Sequence, residues 1–229
     1  GKSKEGNYVE FSRLSPKFEQ GFPGDLEQRI RYTLTDNNEL IIDYRMATNE
    51  TTVVNPTNHT YFNLNGQDNG NILQHRLEIY ANSFLEIDED FVPTGNILNV
   101  ENTPMDFRIK KIIGKQIDYN DVQIRRAKGY DHNYVFTNDG KLKKMAKLYC
   151  DESGITMTVY SDLCGMQLYT GNFLDGVVGK GGTRYEEKAG ICFETQYYPN
   201  ACNEEHFPSS VLKAGQTYKS RTIYELAVS

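Results

Sequence analysis

Apolar and polar residues alternate along much of this chain, which is the pattern of β-strands with one buried face. The clearest case is residues 28–46, where the alternation runs on both sides of a polar turn at residues 36–38. The apolar positions of this segment are Ile30, Tyr32, Leu34, Leu40, Ile42, Tyr44 and Met46. The segment is therefore predicted to be a β-hairpin.

Three further segments carry strand and turn signals. Asn-Asp-Gly at residues 138–140 is a strong turn sequence, because both central residues of such a turn need a positive φ. It predicts a hairpin that joins a strand at residues 134–136 to the strand that follows. Ser-Gly at residues 153–154 predicts a turn into a strand at residues 155–160, and residues 217–226 are rich in Thr, Tyr and Ile and predict a last strand.

No window of helical length has a convincing 3.6-residue period, and no internal repeat or low-complexity linker is present. The longest stretches predicted to be irregular are residues 55–71, 88–104 and 171–189, which are rich in Asn, Gly and Pro. Long loops on a β domain are usually functional or mobile. We expect an all-β fold, a single antiparallel β-sandwich domain spanning residues 1–229 with elaborate loops.

Composition excludes several classes of function. The 229 residues carry a net charge of −6 with scattered Lys and Arg, whereas binding to nucleic acid needs concentrated positive charge. No stretch is apolar enough to span a membrane. The 4 cysteines form no C-x-x-C pair, so neither a zinc motif nor a redox motif is indicated. We interpret them as reduced thiols of a cytoplasmic protein.

The first candidate for chemistry is the loop at residues 55–63, which combines His59 with three Asn, two Thr and two aromatic residues. Amide and hydroxyl groups match sugar hydroxyls, and an aromatic ring covers the apolar face of a pyranose. His59 could serve as a general acid, or it could only tie the loop together through hydrogen bonds. The residues alone leave both readings open.

Two further segments offer polar groups to a site. Asp131 and His132 lie side by side in residues 129–133, where they could bind a ligand or cap a turn. Gln167 lies on a strand that leads into a Gly-rich loop, and its amide offers both a donor and an acceptor if it faces a pocket. For Asp131 and His132 the capping role is the default, and for Gln167 the alternative is an ordinary strand with a polar face.

Glu194 follows an apolar run at residues 191–193, which predicts a carboxylate near the end of a buried strand. A carboxylate in such a place costs free energy unless it is paired or used. A half-buried Glu with a raised pKa is the usual form of a general base. The alternative is an exposed carboxylate at the end of the strand.

Taken together and in order, these segments resemble the aldose 1-epimerase family. The matching elements are NHTYFN at residues 58–63, YDHN at 130–133, QLYTGNFLDG at 167–176 and ETQ at 194–196. GFPGDL at residues 21–26 and VPTG at 92–95 fit the family as well. Each motif is weak alone, but the resemblance covers essentially the whole chain.

The resemblance implies a galactose mutarotase-like β-supersandwich and interconversion of the α and β anomers of free hexoses such as galactose and glucose. It implies Glu194 as general base and His59 as general acid, which are expected to flank the sugar ring rather than touch each other. Sugar contacts are expected from Asp131, Gln167, Asn58 and Tyr61. No metal and no cofactor is expected, and His132 is given no catalytic role. We also expect a monomer or a weak dimer.

One departure from the family pattern concerns the beginning of the chain. Family members carry a further N-terminal portion with an Arg and a His that complete the sugar site, and no matching segment precedes residue 21 here. With Gly1 in place of Met, this leads us to expect an N-terminally truncated chain with exposed sheet edges or apolar surface. The alternative function is a catalytically impaired carbohydrate-binding module. An epimerase for hexose 6-phosphates ranks last, because the motifs lack clustered Arg or Lys.

Overall fold

Two antiparallel sheets share one hydrophobic core in the computed structural model, which describes residues 1–228. The large sheet has eight strands in the spatial order β1 (Asn7–Ser15), β2 (Leu26–Leu34), β3 (Glu39–Thr48), β17 (Thr217–Val228), β11 (Ile155–Ser161), β10 (Lys143–Tyr149), β5 (Arg76–Ile79) and β8 (Lys111–Ile112). The small sheet has five, in the order β15 (Cys192–Gln196), β12 (Gly165–Tyr169), β9 (Asp131–Val135), β6 (Ser83–Ile87) and β7 (Pro93–Asn99).

Short elements complete the fold. Two pairs of two-residue strands are formed by β13 (Val177–Val178) with β14 (Arg184–Tyr185) and by β4 (Thr52–Val53) with β16 (Val211–Leu212). The α-helix α1 (Val122–Ala127) has 6 residues and is capped by the Asp121 side chain. Turns of 3₁₀ helix lie at Glu19–Gly21, Ile113–Lys115 and Lys180–Gly182. Among the described residues, no helix has the length and apolar character needed to cross a membrane.

The core lies between the two sheets because each sheet turns alternate side chains toward the other. The large sheet contributes Ile42, Tyr44, Met157, Val159, Leu77 and Leu148, and the small sheet contributes Phe84, Tyr134, Met166, Leu168 and Phe193. Burying each large apolar side chain contributes about 1.5 to 3 kcal/mol to folding. The predicted all-β class with large antiparallel sheets is confirmed, as are the hairpin of β2 with β3, the turn between β10 and β11, and the last strand.

The hairpin predicted around residues 138–140 is wrong. The strand before the turn, β9, belongs to the small sheet and pairs with β12 and β6. The strand after it, β10, belongs to the large sheet and pairs with β11 and β5. Gly140 does adopt the left-handed conformation with φ 65 that a tight turn uses. The local turn sequence is correct, but the chain uses it to cross from one sheet to the other.

Two smaller predictions also need correction. Residues 88–104 were predicted to be irregular, but they contain β7, which pairs with β6 along the edge of the small sheet. The helix α1 was not predicted, because 6 residues are too few for a 3.6-residue period to show. Its stability comes from its cap and its contacts: Asp121 accepts hydrogen bonds from the backbone of Gln123 and Ile124, and Ile124 is buried.

The outer strands β1 and β2 extend the large sheet beyond the small one. The register places Val9 opposite Tyr32 and Phe11 opposite Ile30, on the side that carries the core residues of β3. Val9, Phe11 and Leu34 are nevertheless exposed. The edge strand β1 and its neighbour β2 therefore carry exposed apolar side chains on this face.

Candidate functional site

Three neighbouring strands of the small sheet present polar side chains on one face. In the register, Gln167 of β12 lies opposite Glu194 of β15, while Tyr169 lies opposite both Cys192 of β15 and Asp131 of β9. Side chains of residues opposite each other in an antiparallel pair point to the same side of the sheet. Residues that are far apart in sequence therefore share one polar surface, and the other side of these strands faces the core.

Glu194 is the most perturbed carboxyl group of this surface. Its side chain is 10% exposed, and burial, reinforced by the nearby negative charge of Asp131, raises its pKa to about 7. A carboxylate in low dielectric is destabilised relative to the neutral acid, and a second carboxylate adds to this effect. Glu194 can therefore gain and lose a proton near neutral pH, as a general base must.

His59 reaches the same place from the long loop that follows β4. Its Nε2 lies 3.3 Å from Glu194 Oε1, and its side chain is 49% exposed. The ring also packs against the rings of Tyr61 and Tyr169. This contact differs from the expectation that acid and base stay apart. The two proton-transfer sites of an aldose are oxygens bonded to the same carbon, so an acid and a base that converge can serve both.

Cys192 orients the imidazole of His59. Its Sγ lies 3.4 Å from His59 Nδ1. Burial raises the pKa of the Cys192 thiol, so the sulfur keeps its proton. The contact at Nδ1 leaves the other ring nitrogen, Nε2, facing Glu194 and the cavity.

Asp131 and Gln167 form a second polar pair beside Glu194. Gln167 Nε2 donates a hydrogen bond of 2.7 Å to Asp131 Oδ1. Burial raises the pKa of Asp131, and the Gln167 hydrogen bond opposes that shift. Among the described residues, Gln167 Oε1 is buried and has no hydrogen-bond partner. A buried acceptor without a partner costs free energy, which a hydroxyl group of a ligand would recover.

A buried network holds Asp131 in place from behind. Asn172 Nδ2 donates to the carbonyl oxygens of Tyr130, at 2.9 Å, and Ala127, at 2.8 Å. Asn172 Oδ1 accepts from Thr170 Oγ1 at 2.6 Å. Gly129, with φ +140, passes so close that a Cβ there would meet Asn172 Oδ1 at 2.5 Å. The network therefore fixes Tyr130 and Thr170, which adjoin Asp131 and Tyr169 in the sequence.

These side chains surround a cavity of about 380 Å³. It is lined by His59, Tyr61, Asp131, Gln167, Tyr169, Glu194, Gln196 and Pro199. Five of the six residues proposed from the sequence are in this set. Asn58 is not: its Oδ1 accepts from the Thr60 backbone at 3.2 Å and its Nδ2 contacts Tyr32 Oη at 3.4 Å. His132 is also outside, buried on the core face, where burial lowers its pKa to about 3.

A larger cavity of about 730 Å³ lies beyond Tyr61, between residues 61–71 and 174–190. Tyr61 lines both cavities. The charged residues of the larger one include Asp68, Arg184 and Glu186, and Arg184 lies 3.9 Å from Glu186 in an exposed pair. Of the two cavities, the smaller one holds the buried carboxyl group with a raised pKa next to an imidazole.

Three members of the site were missed from the sequence: Tyr169, Cys192 and Gln196. A signal was available, because each lies two residues from a predicted site residue on the same strand, and side chains at i and i+2 share a face. Cys192 has a further property. One ligand atom from each of His59, Cys192 and Glu194 lies within 4.8 Å of the other two, so this group could hold a metal ion.

A profile of the aldose 1-epimerase family matches residues 1–225. The chain belongs to the aldose 1-epimerase family. Over 224 residues it is 42% identical to the galactose mutarotase of Bos taurus, and this match covers 97% of the chain and 64% of the relative. Over 220 residues it is 35% identical to the aldose 1-epimerase of Escherichia coli strain K12, covering 95% of the chain and 63% of the relative.

Solved structures of this family have the same fold. An aldose epimerase homologue from C. elegans superposes with a TM-score of 0.86 at 30% identity, covering 99% of the chain and 66% of that structure. A galactose 1-epimerase from Lactobacillus acidophilus superposes with a TM-score of 0.86 at 25% identity, covering 100% of the chain and 65% of that structure. The chain thus spans less than two thirds of the length of these relatives.

Proposed function

We propose that this chain interconverts the α and β anomers of free hexoses, galactose and glucose in the first place, with Glu194 as base and His59 as acid. The observation that carries the proposal is the pair itself: a buried carboxyl group whose pKa is raised to about 7 lies 3.3 Å from an imidazole nitrogen inside a polar cavity. Membership of the aldose 1-epimerase family supports it.

Ring opening follows from the positions of these two groups. The Glu194 carboxylate takes the proton of the anomeric hydroxyl, and the electrons of that O–H bond form the carbonyl at C1. The bond from C1 to the ring oxygen breaks, and the ring oxygen takes the proton of His59 Nε2. Each positioned proton transfer contributes about 10² to 10⁴ in rate.

Ring closure is the reverse with one difference. The open aldehyde turns about the C1–C2 bond, so that the hydroxyl attacks the other face of the carbonyl. His59 Nε2 then takes back its proton, and Glu194 returns its own to the carbonyl oxygen. Asp131, Gln167 and Tyr61 are proposed to hold the remaining hydroxyls and the ring face during this turn. Asn58 is proposed to act through the shape of its loop, since it contacts Tyr32 and Thr60. Every step balances with protein side chains alone.

Polarimetry on freshly dissolved α-galactose tests the proposal. We expect the optical rotation to relax faster than in buffer, and Glu194→Gln to lower that rate by roughly 10² to 10⁴. Glu186→Gln is the matched control, because Glu186 lines the larger cavity and should leave the rate unchanged. A wild-type rate equal to that of the buffer, or an undiminished rate in Glu194→Gln, would contradict the proposal.

A carbohydrate-binding module without turnover is the second candidate. It is favoured by one observation: among the described residues the buried Gln167 Oε1 has no hydrogen-bond partner, and a sugar hydroxyl could bind there without any proton transfer. Calorimetry separates the two: sugar binding without faster anomer exchange supports the module, and absence of binding excludes both.

We further propose that the protein works in the cytoplasm as a monomer or a weak dimer. All 4 cysteines are free thiols, three of them buried, which fits a reducing compartment. Sedimentation of the purified chain at several concentrations tests the oligomeric state. A stable dimer at the lowest concentration would overturn that part.

A further inference from the structure

We propose that His59, Cys192 and Glu194 form a binding site for a thiophilic divalent cation such as Zn²⁺ or Cd²⁺, and that the bound ion blocks the base, Glu194. The site is inhibitory: the metal takes no part in anomer exchange. The binding rests on geometry alone, whereas the inhibition rests also on the proposed function.

The distances suit a small tetrahedral ion. Zn²⁺ binds thiolate sulfur at about 2.3 Å and imidazole nitrogen or carboxylate oxygen at about 2.0 to 2.2 Å, so its ligand atoms lie roughly 3.3 to 3.6 Å apart. Cys192 Sγ is 3.4 Å from His59 Nδ1, and one ligand atom from each of the three residues lies within 4.8 Å of the others. The Glu194 oxygen, which contacts the other ring nitrogen Nε2 at 3.3 Å, would have to move toward Nδ1 to complete the set.

The donor set selects the class of cation. One sulfur, one imidazole nitrogen and one carboxylate oxygen favour Zn²⁺ or Cd²⁺ over Mg²⁺ or Ca²⁺, which prefer oxygen ligands. Asp131, which lines the same cavity as His59 and Glu194, adds negative charge that a cation would neutralise. Three protein ligands leave the fourth position to water, and the half-exposed side of His59 offers the ion a way in from the cavity.

Binding changes the protonation of the site. The S–H bond of Cys192 breaks, its electron pair becomes the bond to the metal, and the proton leaves to solvent. The ring nitrogen and the Glu194 carboxylate give their lone pairs to the same ion. A Glu194 carboxylate bound to the ion can no longer take the proton of a sugar hydroxyl, so metal and turnover exclude each other.

Absorption titration tests the site without requiring turnover. The background variant is Cys202→Ser, which removes the exposed thiol as a competing ligand. We expect Co²⁺ to give a thiolate-to-metal charge-transfer band that saturates at one ion per chain and is displaced by Zn²⁺. Absence of the band, or saturation well above one ion per chain, would overturn the proposal.

Three variants identify the ligands. Cys192→Ser should abolish the band and weaken Zn²⁺ binding by at least about tenfold, since even the partners of metal ligands contribute roughly 10- to 100-fold. Cys164→Ser, an equally buried thiol, is the matched control and should change nothing. His59→Gln should keep the band but weaken binding. A band that survives in Cys192→Ser, or a Zn²⁺ affinity unchanged in His59→Gln, would overturn the assignment.

Inhibition is then measured by polarimetry. Zn²⁺ should slow anomer exchange over the same concentration range in which it displaces Co²⁺, and Cys192→Ser should need at least about tenfold more Zn²⁺ for the same inhibition. If the chain has no turnover at all, the proposed function fails while the titration still decides the metal site. If turnover is present and Zn²⁺ binds without slowing it, the inhibitory role is wrong.

Discussion

The two faces of β9, β12 and β15 have opposite compositions although they belong to the same three strands. The core face carries Tyr134, Met166, Leu168 and Phe193, all fully buried, and the residues between them carry the site. The core face gains free energy from apolar burial. The site face keeps Glu194 in a place where its charge is disfavoured.

This difference shows how a single strand both stabilises the fold and positions polar groups at a cavity. Phe193 and Glu194 are adjacent, yet one belongs to the hydrophobic core and the other lines the cavity. Because side chains alternate along a strand, rigid packing on one side fixes the positions of reactive groups on the other. Changes on the core face should therefore lower stability, whereas changes on the site face should lower activity and can raise stability.

Phe193→Ala should have the largest effect on stability. It removes a fully buried ring from the core, and such changes cost about 3 to 5 kcal/mol. That is a large part of the free energy of unfolding of a typical domain, about 5 to 15 kcal/mol. Denaturant unfolding followed by circular dichroism measures it. Phe11→Ala, in an exposed position of β1, is the matched control and should cost less than about 1 kcal/mol. If both substitutions lowered the free energy of unfolding equally, burial would not distinguish Phe193 from Phe11.

Glu194→Gln should stabilise the protein at high pH. The pKa of Glu194 in the folded chain, about 7, lies above its ordinary value of 4.5, so the folded chain binds more protons than the unfolded chain between these values. The free energy of unfolding of the wild type therefore falls as pH rises from about 4.5 to 7. At 1.36 kcal/mol per pKa unit, a shift of about 2.5 units corresponds to a loss on the order of 3 to 4 kcal/mol.

Denaturant unfolding of wild type and Glu194→Gln at pH 4.5 and pH 8 measures this difference. We expect similar stability at the lower pH and a more stable variant at the higher one. A variant that is less stable at pH 8 would mean that the contact with His59 outweighs the cost of burying the charge.

The same contrast explains which parts of the structure could be predicted from the sequence. Alternation is a local property, so strands such as β2, β3 and β17 were predictable, and so was the turn between β10 and β11. The sheet to which a strand belongs depends on partners far away in sequence. β9 pairs with β12, with Asp131 opposite Tyr169, and no local signal near residue 138 reports this pairing. The predicted hairpin there failed for that reason.

The site was predicted through its motifs more than through its geometry. Glu194, His59, Asp131, Gln167 and Tyr61 line one cavity, as the order of motifs suggested. Tyr169, Cys192 and Gln196 were missed because apolar or common residue types carry little chemical signal by themselves. The contact of His59 with Glu194 could not be predicted, because more than a hundred residues separate them in the sequence. It depends on how the loop after β4 folds over the sheet.

The pH dependence of turnover tests whether the site face exchanges protons with the sugar. Only the carboxylate form of Glu194 accepts a proton, so kcat/KM should rise about tenfold per pH unit below a pKa of about 7 and level off above it. Polarimetry across this range, corrected for the buffer rate at each pH, measures the profile. If kcat/KM stopped rising near pH 4.5 instead, Glu194 would have its ordinary pKa and would be solvated during catalysis.

Gln167→Leu should have the smallest effect, and it tests whether amides of the site face bind sugar. The change removes the hydrogen bond to Asp131 and the buried Oε1 acceptor, which together are worth about 1 to 2 kcal/mol, so we expect KM for galactose to rise roughly tenfold. The value of kcat should change less, because Gln167 exchanges no proton. Gln67→Leu is the matched control: this amide lines the larger cavity, where its Nε2 donates to the Lys180 carbonyl at 2.9 Å. If Gln67→Leu raised KM and Gln167→Leu did not, the sugar would bind in the larger cavity, and Glu194 would be too far from it to act as the base.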